Sequence, residues 1–307
     1  MTSWQSSHRW VVEWHSPQSG MVSVVDRILY SGRTKYQEVD VMVNDDYGKM
    51  LVLDGKLQST TSDEFIYHEM LVHPALITNG NPRDVLVIGG GEGATLREVL
   101  RYGSVRSATM VDIDGEVVEI CEKYLPEMHQ GSFRDPRTTL VIDDGRKFLR
   151  ETRESFDAII VDATDPIEGG PSRLLYTIEF YELARSRLRE GGVLATQGTS
   201  TFYNARTFAL IMNTMSRVFP HVRGYQASIP SYISDWGFVV GSLGRDPASI
   251  GPEEAEARAR ELGLDTSKLK YYEPSRHPSY FWLPPYARRA AAEERGVSRD
   301  NEPVSVY

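Results

Sequence analysis

A glycine-rich turn, Gly89-Gly90-Gly91-Glu92-Gly93-Ala94, directly follows the apolar run Val85–Ile88 and opens a helix-like segment near residues 93–102. Glycine lets a backbone turn sharply and approach a ligand closely. The spacing Gly89-x-Gly91-x-x-Ala94, with Asp112 about twenty residues further on, fits the fingerprint of an adenosine-type ligand at a strand–helix junction. Such a turn is useful only inside a β/α alternation, and the chain supplies one. Apolar strands are expected at Val85–Ile88, Ala108–Ile113, Thr139–Ile142, Ala158–Val161 and Val193–Thr196, with helices near 93–102, 115–127, 145–154 and 177–189. Continuous apolar strands joined by helices predict a parallel sheet covered on both faces.

A helix from Asn204 to Val218 precedes two more strands, Gly224–Ile229 and Gly237–Ser242. The gap between them, Pro230 to Trp236, is too short for a crossover helix, so they pair antiparallel. The expected fold class is therefore α/β: a Rossmann-like mixed sheet of the adenosylmethionine-methyltransferase type, ending in an antiparallel strand. A nicotinamide-binding sheet would continue parallel. Before residue 82 the pattern differs. Val22–Tyr30, Tyr36–Val43 and Lys49–Leu53 read as short strands separated by Ser31-Gly32, Asn44 to Gly48 and Asp54-Gly55, all turn chemistry. A helix from Asp63 to Ile77 follows. The division expected is an N-terminal antiparallel β domain, 1–81, and a catalytic domain, 82–307, with a C-terminal helical extension. That extension holds helices at Pro252–Leu262 and Ala287–Glu294 and a polar, mobile tail, Ser298 to Tyr307.

Charge narrows the ligand. Thirty-four Lys+Arg face 43 Asp+Glu, a formal net charge of −9. That balance argues against nucleic acid, whose binding depends on neutralising phosphates, and suits a cationic ligand. Glu92 sharpens this: it sits where a dinucleotide's pyrophosphate would lie, and an anion there would be repelled. A sulfonium nucleoside would be attracted. The single cysteine, Cys121, rules out an intramolecular disulfide or a cysteine metal cluster and reads as a small buried side chain. No apolar run approaches the ~20 residues of a membrane span, and Met1 to Ser16 contains no hydrophobic leader segment. The expectation is a cytoplasmic protein without membrane contact.

The other candidate residues lie at strand ends, where open α/β sheets bind ligands. Ile142-Asp143-Asp144-Gly145 ends the third strand. Asp144 could meet an adenine amino group or cap the next helix, while Asp143 reads as the cap. Asp162-Ala163-Thr164-Asp165-Pro166 ends the fourth strand and runs into a Gly-rich loop, a concentrated negative site under a lid. His68 and His73 are five apart rather than the four needed for one helical face, so the metalloprotease pattern fails. Gly198-Thr199-Ser200 lacks the Gly-x-Ser-x-Gly of a nucleophile elbow.

Taken in order, several strings resemble the spermidine synthase family, the polyamine aminopropyltransferases. They are Tyr36-Gln37, Leu53-Asp54-Gly55-Lys56-Leu57-Gln58, Asp63-Glu64-Phe65-Ile66-Tyr67-His68-Glu69, the glycine turn, the Asp-x-x-Asp-Pro block and Ile229-Pro230-Ser231-Tyr232. Glu92, the Asp-Ala-Thr-Asp-Pro-Ile-Glu-Gly-Gly-Pro block and the Pro-Ser…Asp-x-Trp-Gly segment ending at Gly237 look most like the thermospermine synthase branch. The resemblance implies decarboxylated S-adenosylmethionine as co-substrate, no metal, and a polyamine acceptor: spermidine, putrescine or agmatine. It also implies a homodimer or homotetramer.

Carried over by position, Gln37 and Asp112 would hold the nucleoside beside the turn glycines Gly89 and Gly91, and Asp144 and Gly145 would meet adenine. Glu92 and His68 would engage the aminopropyl end. Tyr67 and Asp162 would act on the attacking amine, and Asp165, Gln58 and Tyr232 would line the acceptor channel, although Gln58 and Tyr232 could equally be packing residues. Three other readings remain open. They are a methyltransferase using adenosylmethionine itself, a non-catalytic polyamine- or nucleoside-binding module, and a nicotinamide dehydrogenase.

Overall fold

Two antiparallel sheets open the chain. In the computed structural model, which describes residues 9–16 and 18–306, β1 (Arg9–Ser16) and β2 (Ser19–Val25) form a hairpin. β3 (Arg27–Arg33), β4 (Glu38–Asn44), β5 (Gly48–Leu53) and β6 (Lys56–Thr60) form a four-stranded meander. Residues Met1 to His8, part of the start expected to lack a leader, lie outside the described residues, as does Tyr307. The single strand expected over Val22–Tyr30 is two. At Asp26, whose N–H donates to the Val43 carbonyl, the chain leaves one sheet for the other. Asp54 and Gly55 have φ of 47° and 73°, the left-handed pair of a tight hairpin turn, so that turn signal was correct.

β1 gave no strand signal because its faces are inverted. Trp10, Val12 and Trp14 point to solvent, while Glu13 between them is turned inward and lines a cavity.

Next, α1 (Glu64–Asn79) is buried along nearly its whole length and packs across the main sheet. The sheet's strands are β7 (Asp84–Gly89), β8 (Ser107–Asp112), β9 (Thr138–Ile142), β10 (Phe156–Asp162), β11 (Leu188–Ser200), β12 (His221–Ile229) and β13 (Ser234–Ser242). The helices between and after them are α2 (Ala94–Leu100), α3 (Gly115–Tyr124), α4 (Pro126–His129), α5 (Gly145–Glu151), α6 (Ile178–Ser186), α7 (Ala205–Ser216), α8 (Pro252–Glu261), α9 (His277–Tyr280) and α10 (Pro285–Glu293). Sheet order is β12-β13-β11-β10-β7-β8-β9, with β13 antiparallel to both neighbours. The expected antiparallel ending is therefore present.

Along the central strands alternate residues serve two cores. Val85, Val87, Ala158 and Ile160 pack toward α1, while Leu86, Ile88, Ile159 and Val161 join the core that includes Phe180 and Phe208. The chain runs from β7 outward to β9, then returns on the other side of β7 as β10. That reversal opens a crevice at the carboxyl ends of β7 and β10.

The tail does not behave as expected. From Ser298 to Val306 it is packed down, with Ser298, Val304 and Val306 buried. Ile178 N–H donates to the Ser298 carbonyl, Arg146 pairs with Asp300, and Arg173 reaches the Pro303 carbonyl. Val306 N–H donates to the Pro166 carbonyl in the loop after β10. Polar composition misled because Ser298, Asp300 and the Pro303 and Val304 carbonyls find partners within the protein while Val304 and Val306 are buried. Among the described residues no helix is long and apolar enough to cross a membrane.

Candidate active site

β7 ends at Gly89 with φ of 82°, and a Cβ there would lie 2.2 Å from the Asp162 carbonyl oxygen. Only glycine lets the glycine turn and the end of β10 lie side by side. Gly90 N–H completes the junction by donating to that carbonyl at 2.9 Å. Above it lies a cavity of about 650 Å³ walled by the main sheet and by β1, β5 and β6. Twelve of the thirteen residues expected at the site line it; His68 does not.

At one end stands Asp112, where β8 stops. Its Oδ1 accepts Asp114 N–H at 2.8 Å, and Asp114 in turn accepts from Gln37 Nε2 at 3.0 Å and Thr34 Oγ1 at 2.6 Å. Gln37, on the N-terminal unit, is thus tied to the strand end that carries Asp112. Burial pushes the Asp112 carboxyl up to about 7, with Asp114, Glu92 and Asp162 adding repulsion. Asp144 lines the cavity and also caps α5, accepting Lys147 N–H at 2.8 Å. The cap is therefore Asp144 and not Asp143, whose carboxylate pairs with Lys147 Nζ at 2.9 Å. Gly145 leaves room for Ile88, because a Cβ there would lie 2.4 Å from its Cγ2.

In the middle, Tyr67 OH donates to Asp162 Oδ1 at 2.8 Å and Thr95 Oγ1 donates to Oδ2 at 2.7 Å. Burial raises the Asp162 carboxyl above its ordinary range, and Glu92 adds to the rise, while His68 and the two hydroxyl donors oppose it. Glu92 lines the cavity, and its Oε1 lies 2.9 Å from His68 Nε2. His68 is 1% exposed, and its Nδ1 faces the Glu64 carboxylate at 2.8 Å. Both ring nitrogens are engaged within the protein, so His68 stands behind Glu92 and does not present itself to a ligand. Single ligand atoms of His68, Glu92 and Asp162 lie within 4.8 Å of one another, a spacing that would also suit a metal ion. Their atoms are already joined to protein groups: His68 to Glu92, and Asp162 to two hydroxyls.

The far arm contains Asp165, whose Oδ1 accepts from Gln197 Nε2 at 3.1 Å. Burial pushes this carboxyl up to about 6, with Gln197 and Lys56 opposing. Tyr232 OH donates to the Gln58 carbonyl, and its loop is anchored where Ser231 N–H donates to Asp63 at 2.7 Å. Sequence reasoning missed Glu13, Lys56, Gln197 and Trp236, which all line this arm. Glu13 accepts Leu57 N–H at 3.0 Å, and burial pushes its carboxyl up to about 7, with Leu57 N–H and Lys56 opposing and Asp165 adding to the rise. Its signal was legible in retrospect: a carboxylate among Trp10, Val12 and Trp14 is the odd member of an otherwise apolar alternation.

Residues 64–245 match the spermine/spermidine synthase domain, and residues 9–61 match the spermidine synthase tetramerisation domain. A polyamine aminopropyltransferase of Sulfolobus acidocaldarius is 44% identical, covering 97% of this chain and 98% of its own. Polyamine aminopropyltransferase 2 of Hyperthermus butylicus is 45% identical, covering 97% of each chain. A spermidine synthase solved with the transition-state analogue AdoDATO superposes with a TM-score of 0.86 at 36% identity, covering 94% of this chain and 96% of that one. The spermidine synthase of Thermotoga maritima gives 0.84 at 36% identity, covering 94% and 95%. The chain belongs to the spermine/spermidine synthase family, as do the polyamine aminopropyltransferases it resembles.

Proposed function

We propose that this protein moves the aminopropyl group of decarboxylated S-adenosylmethionine onto spermidine, yielding thermospermine and methylthioadenosine. Decarboxylated S-adenosylmethionine is the co-substrate of the family. One observation carries the reading: carboxylates follow one another through a single cavity, Asp112, Glu92, Asp162, Asp165 and Glu13, and they match the successive polar and cationic groups of the two substrates. Asp112 and Gln37 take the ribose, Asp144 and Gly145 the adenine, and Glu92 the donor's ammonium. Asp162, held by Tyr67, faces the attacking amine. Asp165 and Glu13, beside Gln58 and Tyr232, are two further carboxyls that a bound ammonium would hold ionised, enough for the remaining nitrogens of a triamine.

In the reaction the amine lone pair attacks the carbon next to sulfur. A C–N bond forms, the C–S bond breaks, and its electron pair returns to sulfur. Positive charge leaves sulfur and appears on nitrogen, so a carboxylate on the nitrogen side stabilises the transition state more than the ground state. The acceptor must first lose a proton, which costs roughly 4–5 kcal/mol at pH 7 for an amine of pKa about 10.4. That first proton goes to solvent; Asp162 accepts the hydrogen bond of a remaining N–H, orients the lone pair and receives this second proton as positive charge develops on nitrogen. Positioning the two reactants together contributes up to about 7–11 kcal/mol.

A shorter acceptor, putrescine, is favoured by one specific feature: Lys56 lines the same arm and offsets one of its carboxylates. Incubating the protein and decarboxylated S-adenosylmethionine with spermidine, putrescine and agmatine separately, then identifying products by chromatography, decides between them. Thermospermine from spermidine is expected. Turnover of putrescine alone would replace the acceptor assignment, and methylthioadenosine release with no amine would end the aminopropyl-transfer reading.

We take residues 1–81 as an N-terminal unit and residues 82–307 as the catalytic unit; β1, β5 and β6 of the first close the cavity over the second. The N-terminal unit also provides the surface for a homodimer or homotetramer. Trp10, Val12, Trp14 and Val22 are 57%, 48%, 57% and 58% exposed on one face of the β1–β2 hairpin. Apolar surface of that kind marks an association site. Changing Trp10 and Trp14 together to Lys should lower the mass found by sedimentation; an unchanged mass would move the interface elsewhere.

A further inference from the structure

We propose that Glu64 is a positioning residue for donor binding: its carboxylate keeps the His68 ring doubly protonated, so that Nε2–H fixes the Glu92 carboxylate at the cavity wall. This rests on the reading of Glu92 as the partner of the donor's ammonium. The argument begins with what surrounds the ring. Nδ1 lies 2.7 Å from the Glu64 carbonyl oxygen and 2.8 Å from Glu64 Oε2, and both can only accept from it. Nδ1 therefore carries a proton. In a neutral ring the lone pair of Nε2 would then face Glu92 Oε1 at 2.9 Å, oxygen against nitrogen with no hydrogen between them. The second proton removes that conflict, leaving an imidazolium between two carboxylates.

Each neighbouring element contributes a defined charge. α1 supplies Glu64 and the Tyr67 ring, set edge-on to His68 at 5.0 Å. The glycine turn supplies Glu92, and the end of β10 supplies Asp162. α2 supplies Arg97, which reaches Glu64 with two nitrogens at 2.9 Å each and Glu98 with Nε at 2.7 Å. Burial works against a charge on His68, but the flanking carboxylates outweigh it and raise its pKa to about 10. Burial likewise disfavours the Glu64 anion, and His68 and Arg97 overcome that, holding its carboxyl below the ordinary range. Glu64 is thus a permanent anion clamped from behind by Arg97, and it fixes the state of the ring in front of it.

This arrangement answers a difficulty in the site. Glu92 shares the cavity with Asp162 and Asp112, and repulsion would swing it away from a fixed pose. Nε2–H holds it there while leaving its other oxygen for the ligand. The imidazolium is also screened from incoming cations by the carboxylate it holds.

The test uses the full chain with ¹⁵N-labelled histidine. In the wild type both His68 ring nitrogens should remain protonated up to about pH 9, and in Glu64→Gln the midpoint should fall to about pH 7, the ordinary range of an imidazole. The same variant should raise the donor KM roughly tenfold between pH 8 and 9, while kcat at saturating donor changes little. If Glu64→Gln fails to fold for want of Arg97's partner, the wild-type titration and the donor KM of His68→Gln, expected to rise likewise, still decide. A wild-type midpoint at or below pH 7.5 would overturn the proposal, as would an unmoved ring in a folded Glu64→Gln protein. If the ring behaves as stated but Glu92→Gln binds donor normally, the assignment of Glu92 fails and the protonation state assigned to His68 survives.

Discussion

Asp162→Asn should lower kcat by roughly 10²–10⁴-fold at saturating donor and acceptor, the range expected when a group in proton transfer is removed. The amide occupies the same volume and can still accept from Tyr67 OH, now 2.8 Å from Oδ1. Folding and substrate affinity should therefore be nearly unchanged, and the loss should fall on turnover. The amide cannot take the proton leaving the attacking amine, and it offers no negative charge to the nitrogen that becomes positive. The pH profile supplies an independent mark. Burial first, and then Glu92, raise the Asp162 carboxyl above the ordinary aspartate range. As pH falls, that carboxylate gains a proton at a higher pH than a solvated aspartate would, and can accept no other. The wild-type kcat should decline on the acid side accordingly, and that decline should vanish in Asp162→Asn. Near-normal turnover by the variant would remove the residue from the chemistry.

Glu92→Gln should act on the donor instead. Removing the charge from a buried, hydrogen-bonded pair costs at least about 2 kcal/mol, roughly thirtyfold in affinity. Calorimetry with decarboxylated S-adenosylmethionine reads that loss directly; an unchanged dissociation constant would sink the role. The variant has a second consequence of opposite sign. Glu92 is the leading charge, after burial, that lifts the Asp162 carboxyl, so its neutralisation should move the acid decline of kcat toward lower pH. Donor affinity and the acid limb shifting together would show that the two carboxylates share one electrostatic environment.

The sheet was legible because its physics is periodic. Val85–Ile88 and Ala158–Val161 are unbroken apolar runs, and runs of that kind occur where both faces of a strand are covered. The short gap from Pro230 to Trp236 fixed the direction of the last two strands in advance. Strand-end carboxylates were legible for a similar reason: Asp112, Asp144 and Asp162 all follow apolar strands, and the crevice gathers those ends.

What residue types could not convey was direction. In Asp63-Glu64-Phe65-Ile66-Tyr67-His68-Glu69, four residues carry charge or an imidazole, yet only Tyr67 among the seven lines the cavity. Asp63 anchors the loop of Tyr232, and Glu69 accepts three backbone N–H groups from Lys270, Tyr271 and Tyr272. His68 is enclosed between two carboxylates. A helix buried on every side gives its polar residues no distinctive spacing. Their roles depend on partners up to 203 positions away in the chain. Glu13 was hidden for the converse reason, since its strand turns the apolar residues outward.

The hydrogen bond from Val306 N–H to the Pro166 carbonyl has a mechanical consequence. The segment from Ser298 to Val306 braces the loop that carries Asp165, so that arm of the cavity takes part of its rigidity from residues distant in the chain. Loosening this segment should be felt at Asp165 well before it reaches Asp112, whose supports lie on β8 and at Asp114.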